Sequence, residues 1–565
     1  MTFHPGEPWL DTSGLPIQAH GGALLKHGDY WYWYGEDKRA HVNAQTTTVT
    51  GISCYRSTNL TDWEDRGLCL TAEADPSSPL HSSKIVERPK VLYNAATGRF
   101  VLWMHLDEPG YSFSRAGVAV ADHPEGPFRL VRVMRSMSYD YGYPESDPRN
   151  QKELGNAFLD FNLFQDEDGS AFVVHVSENL MTLYVLQLSD DYTDFRRPAV
   201  QGVTWERILV NRMREAPAPF RHGEHYYLFT SGCSGWDPNA TLLHRASRLF
   251  GPWENLGQPF QGPAAVSSWR TQPTSVFAVP GAPPGSFVLM ADRWKPSELR
   301  DTRHVWLPFV MHNGSTTLDF RPRWDLSMLQ SGRLVQALNA PVLQGGLHFD
   351  WSYKVPTGVD LHWSQVPGAD GYRVFCGTIA LLFTTELSAR LPLGLPGAAV
   401  DYTVRAESLG QEPSEPSNVL SVVQGLPRTC HLSDFAPLRS FTGFGELLHD
   451  QVWNGSELKL AGQEFTKGLW AHLDSEVVYQ LGGVYDELSA LVGIADSHPE
   501  GEGRFTVEAD GVTVWQSPVL KGTDAPVTLK LRLSGVHFLR LVAEGPNTIG
   551  LGHALWCNLR LQPCR

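Results

Sequence analysis

The chain has 565 residues, too many for one hydrophobic core, so three or four domains are expected. Its formal net charge of -15 argues against a nucleic-acid or anionic-membrane surface and suits a neutral substrate. No run of about 18 apolar residues is present, so no helix that crosses a membrane is expected. Gly 52 and Pro 39 are plentiful and long helical periodicity is scarce, which favours many short strands joined by turns. The 18 Trp and 18 Tyr serve β-cores in the main, with some left as stacking platforms. The first residues have neither a basic stretch nor an apolar one, so the expected location is the cytoplasm, or outside the cell if the start has been trimmed. Seven scattered cysteines, without a CxxC pair or a Cys/His cluster, read as free and mostly buried thiols, a Cys557–Cys564 bridge being the weaker alternative. No metal, cofactor or phosphate loop is expected, and the oligomeric state is left open.

From residue 15 to about 300 one outline recurs: an apolar strand, a Gly or Asp-Gly turn, and a second apolar strand. It is found at 22–34, 89–103, 162–174, 214–231 and 274–290. Five such hairpins at roughly 60-residue spacing predict a five-bladed β-propeller over 1–337. Val305–Val310 and Trp324-Asp325, with the N-terminal strand, are expected to close the ring. Residues 131–157, with Tyr139, Tyr141, Tyr143 and Pro144, read as an insertion at the pit mouth.

Residues 338–426 change character. Trp363, Tyr372-Arg373-Val374 and Tyr402-Thr403-Val404-Arg405-Ala406 lie on alternating strands and predict a small β-sandwich that acts as a spacer. Residues 427–565 predict a second sandwich, with a hairpin turn at Asp510-Gly511. The fold class is therefore all-β: a propeller followed by two sandwiches.

Carboxylates recur at the inner ends of the propeller strands, where a side chain points into the central pit. Glu215 stands ahead of Pro217 and Pro219, Glu87 ahead of Arg88-Pro89, and Asp160 ahead of Phe161-Asn162. Gln272 stands ahead of Pro273, and Gln18 precedes His20-Gly21-Gly22 in the first repeat. Tyr34, Glu36, Lys38, Arg88, Glu178, Asn179, Ser231, Gly232, Trp236, Asn239, Arg293 and Trp294 are further pocket candidates. His20 reads as a hydroxyl or metal contact, or as a hydrogen-bonded core residue.

On these motifs the first 330 residues resemble glycoside hydrolase family 43, and the patterns around Gln18, Glu36 and Glu87 resemble its exo-β-1,3-galactanase branch. The resemblance implies Glu215 as general acid and Asp160 as the group that orients it and tunes its pKa. It implies Glu87 as an essential carboxylate and Gln272 as a neighbour of the attacking water. The usual base position holds Gln18, and a neutral amide does not accept a proton as a carboxylate does. Water activation thus falls to Gln272 or Glu87. An inverting enzyme needs about 6.5–9.5 Å between acid and base, and apolar walls such as Trp33 and Trp236 would keep Glu215 protonated. The expected substrate is a galactose-containing β-1,3-glycan cut from its end. The alternatives are α-L-arabinofuranosidase or β-xylosidase activity, or galactan binding without catalysis. Residues 338–426 resemble a fibronectin type III domain. The last domain resembles the NPCBM modules (carbohydrate-binding module family 51) through 467–479 and 552–559, which implies His472, His553 and Trp556 as sugar contacts. The acidic residues usual in that closing segment are Gly552 and Asn558 here.

Overall fold

The computed structural model describes residues 2–564 apart from 42, 44–48, 138–155, 262–264, 331–337, 351, 353–354, 410–412 and 546–551. Tyr139, Tyr141, Tyr143 and Pro144 of the expected insertion lie outside the described residues. Among the described residues nearly all regular structure is strand. The chain divides into two compact units, Met1–Pro259 with Arg270–Ser331, and Phe260–Trp269 with Gly332–Arg565.

Among the described residues the first unit holds five antiparallel sheets of three or four strands in sequence order, beside one two-stranded ladder. Their first strands are His20–His27, Ile85–Asn94, Phe161–Gln165, Arg214–His222 and Gln272–Ala278. Each first strand touches the next, and the fifth touches the first, which closes a five-bladed propeller. Four blades have four strands each, and the fifth has three. Middle strands are packed on both faces, so they read as continuous apolar runs. In Arg99–Asp107 of the second blade, Phe100, Leu102 and Met104 join a core shared with Tyr32 and Ile52 of the first blade. Val101 and Trp103 join another with Phe161 and Tyr184 of the third.

Closure differs in detail from the expectation. Arg303–Val310 is the third strand of the fifth blade, whereas Trp324–Asp325 pairs with Thr2–Phe3 as a separate two-stranded ladder. Phe3 stacks on Trp324 at 4.1 Å, and Trp324 Nε1 donates to the Trp306 carbonyl. The N-terminal strand is thereby fastened to the blade that it helps to close.

Four of the five first strands lose register near their inner ends, between His20 and Ala23, Glu87 and Lys90, Glu215 and Ala218, and Pro273 and Ser275. A bulge adds a residue and re-aims the side chains beside it. Arg88 and Ala216 take φ of 55° and 49° there, a region that non-glycine residues seldom occupy. In the first blade Gly21 has the same sign of φ, and a Cβ on it would lie 2.2 Å from Glu36 Oε1.

In the second unit, residues 343–423 form a three-stranded and a four-stranded sheet around Trp363, Tyr372, Val374 and Val404. The last 135 residues form two larger sheets around Leu469, Tyr479, Phe505 and Trp556. Asp510 and Gly511 both have positive φ, as a tight hairpin turn requires.

Candidate active site

The bulged inner strands bring polar side chains together beside a cleft in the propeller. Ser231, Trp236, Asn239, Arg270, Gln272 and Trp294 line it. Glu215 and Ser231 are cross-strand neighbours, and Gln272 reaches both: its Nε2 donates to Glu215 Oε1 at 2.9 Å and to Ser231 Oγ at 3.2 Å. Gln272 Oε1 accepts from Trp294 Nε1 at 2.8 Å and from Arg88 Nη2.

Arg88 is the hub of this arrangement. Its Nε donates to Asp160 Oδ1 at 3.1 Å, Nη2 lies 2.9 Å from Asp160 Oδ2, and Nη1 donates to the Pro273 carbonyl at 3.1 Å. Its backbone N–H donates to Glu36 Oε1 at 2.9 Å. A planar fork satisfies these directions at once, and an ammonium does not. Asp160 Oδ2 also accepts the Ala216 N–H at 3.1 Å, so the third blade is tied to the residue after Glu215.

Burial, then the charge of Asp160, pushes the Glu215 carboxyl up to about 8 against the pull of Arg88 and Arg214. The apolar walls invoked from sequence are only partly the cause. Trp236 lines the cleft, 5.1 Å from Trp294, but Trp33 is core, packed on Trp9, Trp63 and Trp306. Glu87 behaves oppositely. Against burial, which alone would raise it, His105 and Lys38 hold its carboxyl down at about 2. Its Oε1 accepts from Tyr111 at 3.0 Å. Lys38 pairs with Glu36 at 2.6 Å, buried, and lies 5.9 Å from the Trp236 ring and 6.0 Å from that of Trp294.

Other candidates serve the scaffold. Tyr34 is buried among Tyr32 and Phe128 and donates to the Pro124 carbonyl at 2.7 Å. Glu178 takes both nitrogens of the Arg207 fork and the hydroxyls of Thr182 and Tyr184, and Asn179 is exposed in the turn that follows. A strand alternates its side chains, so Arg293 leaves the face of Asp292 and lies over Phe320 at 5.5 Å. Gln18 is buried with Nε2 on the Arg300 carbonyl at 3.1 Å, while its Oε1 makes no hydrogen bond. Asn239 lines the cleft while holding its loop: Oδ1 accepts the Gly232 N–H at 2.6 Å and Nδ2 donates back to the Gly232 carbonyl at 2.7 Å.

His20 belongs to a group that the sequence did not announce. His20, Asp292 and His304 each bring one ligand atom within 4.8 Å of the others. Burial, then the neighbouring His304, keeps the His20 imidazole down at about 4, hence neutral at pH 7, and neither of its ring nitrogens makes a well-formed hydrogen bond. A neutral imidazole beside a carboxylate is a donor set able to hold a cation, a grouping that the sequence does not suggest. Lys90 was also overlooked. Its buried ammonium donates to the Gly21 carbonyl at 2.6 Å and joins the inner ends of the first two blades. His105 and Asp107 escaped notice because their strand reads as core.

In the last domain Trp556 is core, edge-on to Phe505 at 5.2 Å. His472 is buried, with Nδ1 2.7 Å from the Leu473 carbonyl, and His553 accepts from Trp470 Nε1 at 3.1 Å while stacking on His498. A Cβ on Gly552 would lie 2.7 Å from the His472 ring, so an acidic side chain does not fit there without rearrangement.

Residues 24–268 match the model of glycosyl hydrolases family 43, and residues 428–562 match that of the NPCBM/NEW2 domain. A solved family-43 β-1,3-galactosidase, bound to galactodeoxynojirimycin, is 34% identical over 57% of this chain and 100% of that chain, with a TM-score of 0.52. An exo-β-1,3-galactanase from Clostridium thermocellum is 28% identical over 72% of this chain and 82% of its own, with a TM-score of 0.52. One from Phanerochaete chrysosporium, bound to β-1,3-galactotriose, is 20% identical over all of both chains with a TM-score of 0.51 and speaks for the fold alone. A curated Renibacterium salmoninarum protein that carries the name endo-α-N-acetylgalactosaminidase is 28% identical over 195 residues, 31% of this chain but only 13% of that protein.

Proposed function

The chain belongs to glycosyl hydrolases family 43, and from that premise we propose that it releases terminal galactose from β-1,3-linked galacto-oligosaccharides with inversion at the anomeric carbon. The substrate follows from the β-1,3-galactosidase and exo-β-1,3-galactanase among its relatives. The mechanism follows from one observation: two carboxylates of one propeller centre are driven apart in pKa, Glu215 upward and Glu87 downward.

Glu215, protonated at neutral pH, donates its proton to the leaving glycosidic oxygen. Water attacks from the other face of the sugar and loses its proton to the ionised Glu87. Gln272 is the weaker acceptor. Its carbonyl oxygen already takes two donors, and its amide lies 2.9 Å from Glu215, too near the acid to stand across the sugar from it. Gln272 instead fixes Glu215 and carries part of the cleft wall. Asp160 and Arg88 tie the third, second and fifth blades behind the acid, and Trp236 and Trp294 offer aromatic faces to the sugar.

The test is hydrolysis of β-1,3-galactobiose and β-1,3-galactotriose beside aryl arabinofuranoside and xyloside, with proton NMR of the first-formed anomer. Release of α-galactose that is lost in Glu215→Gln supports the reading. Turnover of the arabinoside or xyloside alone overturns the substrate, and β-galactose as first product overturns inversion.

A further inference from the structure

Glu87 is backed by a chain of buried groups that leads away from the cleft. His105 is its cross-strand neighbour in the second blade, and His105 Nδ1 lies 3.4 Å from Glu87 Oε2, an ion-pair contact without a well-formed hydrogen bond. The other ring nitrogen, Nε2, lies 2.9 Å from Asp107 Oδ2. His105 and Asp107 are two apart on one strand and share a face. The side chain of His105 is 1% exposed and that of Asp107 is fully buried. Asp107 is itself anchored: Oδ1 accepts the N–H groups of Phe113 at 2.7 Å and Glu108 at 2.9 Å, and Oδ2 accepts the Ser114 hydroxyl at 2.9 Å. Tyr111, from the same loop, stacks over His105 and donates to Glu87 Oε1.

The geometry points to His105, held by Asp107, as the positioning residue that keeps Glu87 oriented and ionised. The inference rests on the proposed role of Glu87 as the ionised partner of Glu215. An imidazolium between two carboxylates is favoured despite burial, and Asp107 and Glu87 hold His105 at about 9. A core histidine without such partners goes the other way: burial lowers His175 of the third blade to about 4. Lys38 and Arg88 also face Glu87 with positive charge, Glu36 faces it with negative charge, and His41 and Tyr111 complete its surroundings.

Two measurements on the full chain test the assignment. The first follows the His105 Cε1–H resonance against pH in the wild type and in Glu87→Gln. It needs no substrate, so it decides the pairing even if the galactosidase reading fails. A midpoint above pH 8 that falls by about one unit or more in Glu87→Gln is expected, and an unchanged midpoint overturns the proposal. The second compares pH profiles of kcat/KM for His105→Gln and Asp107→Asn with the wild type. Loss of the cation raises the Glu87 pKa, so the acidic limb should move up by about one pH unit or more and kcat should fall about tenfold with KM little changed. Variants that melt earlier but keep the wild-type profile overturn it, because His105 would then serve packing alone.

Discussion

The propeller cleft and the last sandwich both hold Trp and His at positions that sequence marked for sugar, yet they use them differently. In the propeller, the register breaks after Glu87 and again after Glu215, and Glu215 meets Gln272, which lines the cleft. In the sandwich, Trp556 pairs in register with Leu469 and Val492, the strand losing register only beyond Cys557, and its ring goes to the core. Residue type at a motif position is therefore not enough. The backbone must be bent to deliver it, and strain at Arg88 and Ala216 marks where that happens.

The hardest break to that contrast is removal of the acid. Glu215→Gln should lower kcat about 10²–10⁴-fold on β-1,3-galactobiose with little change in melting temperature. Next comes the hub. Arg88→Lys keeps the charge but loses the fork that spans Asp160, Gln272 and Pro273, and kcat/KM should drop about 100-fold by steady-state kinetics.

A matched pair of tryptophans sharpens the comparison between the two regions. Trp236→Ala should raise KM about tenfold and leave the melting midpoint in place, since its ring lines the cleft. Trp556→Ala should do the reverse, lowering stability by about 3–5 kcal/mol in denaturant while kcat/KM of the folded protein stays as it was. Equal effects from the two would dissolve the contrast.

The smallest expected effect is on pH dependence. Glu215 must be protonated to act, so kcat/KM should fall as pH rises through about 8. Asp160 raises that pKa, so Asp160→Asn should shift the basic limb to lower pH, read from the profile and not from a single rate. A limb that stays in place would mean that burial alone sets the acid.

Much of this was legible in the amino-acid order. Five hairpins at regular spacing point to the propeller, and the family resemblance marks Glu87, Glu215 and Gln272, which lie at the starts of inner strands, and Asp160, which lies just ahead of one. What was not legible depends on three-dimensional neighbours. Tyr34 and Trp33 lie in one aromatic run, 30–34, and periodicity could not tell that both belong to the core while Trp236 does not. Glu178 reads as a pocket carboxylate in the sequence, and only the fold brings Arg207 against it. His105 and Asp107 sit in a strand so apolar that their polarity reads as incidental, although two buried polar residues on one strand face are themselves a signal. His20, Asp292 and His304 come from opposite ends of the propeller and meet only when the ring closes.

The central claim is the division of labour between Glu215 and Glu87, and azide rescue tests it most directly. In Glu87→Ala, azide supplies its own nucleophile and needs no base, so turnover of β-1,3-galactobiose should recover and yield α-galactosyl azide. In Glu215→Ala the leaving oxygen still lacks its acid, so azide should restore nothing. Recovery in Glu215→Ala with a β-azide, or recovery in Gln272→Ala but not in Glu87→Ala, would contradict the account.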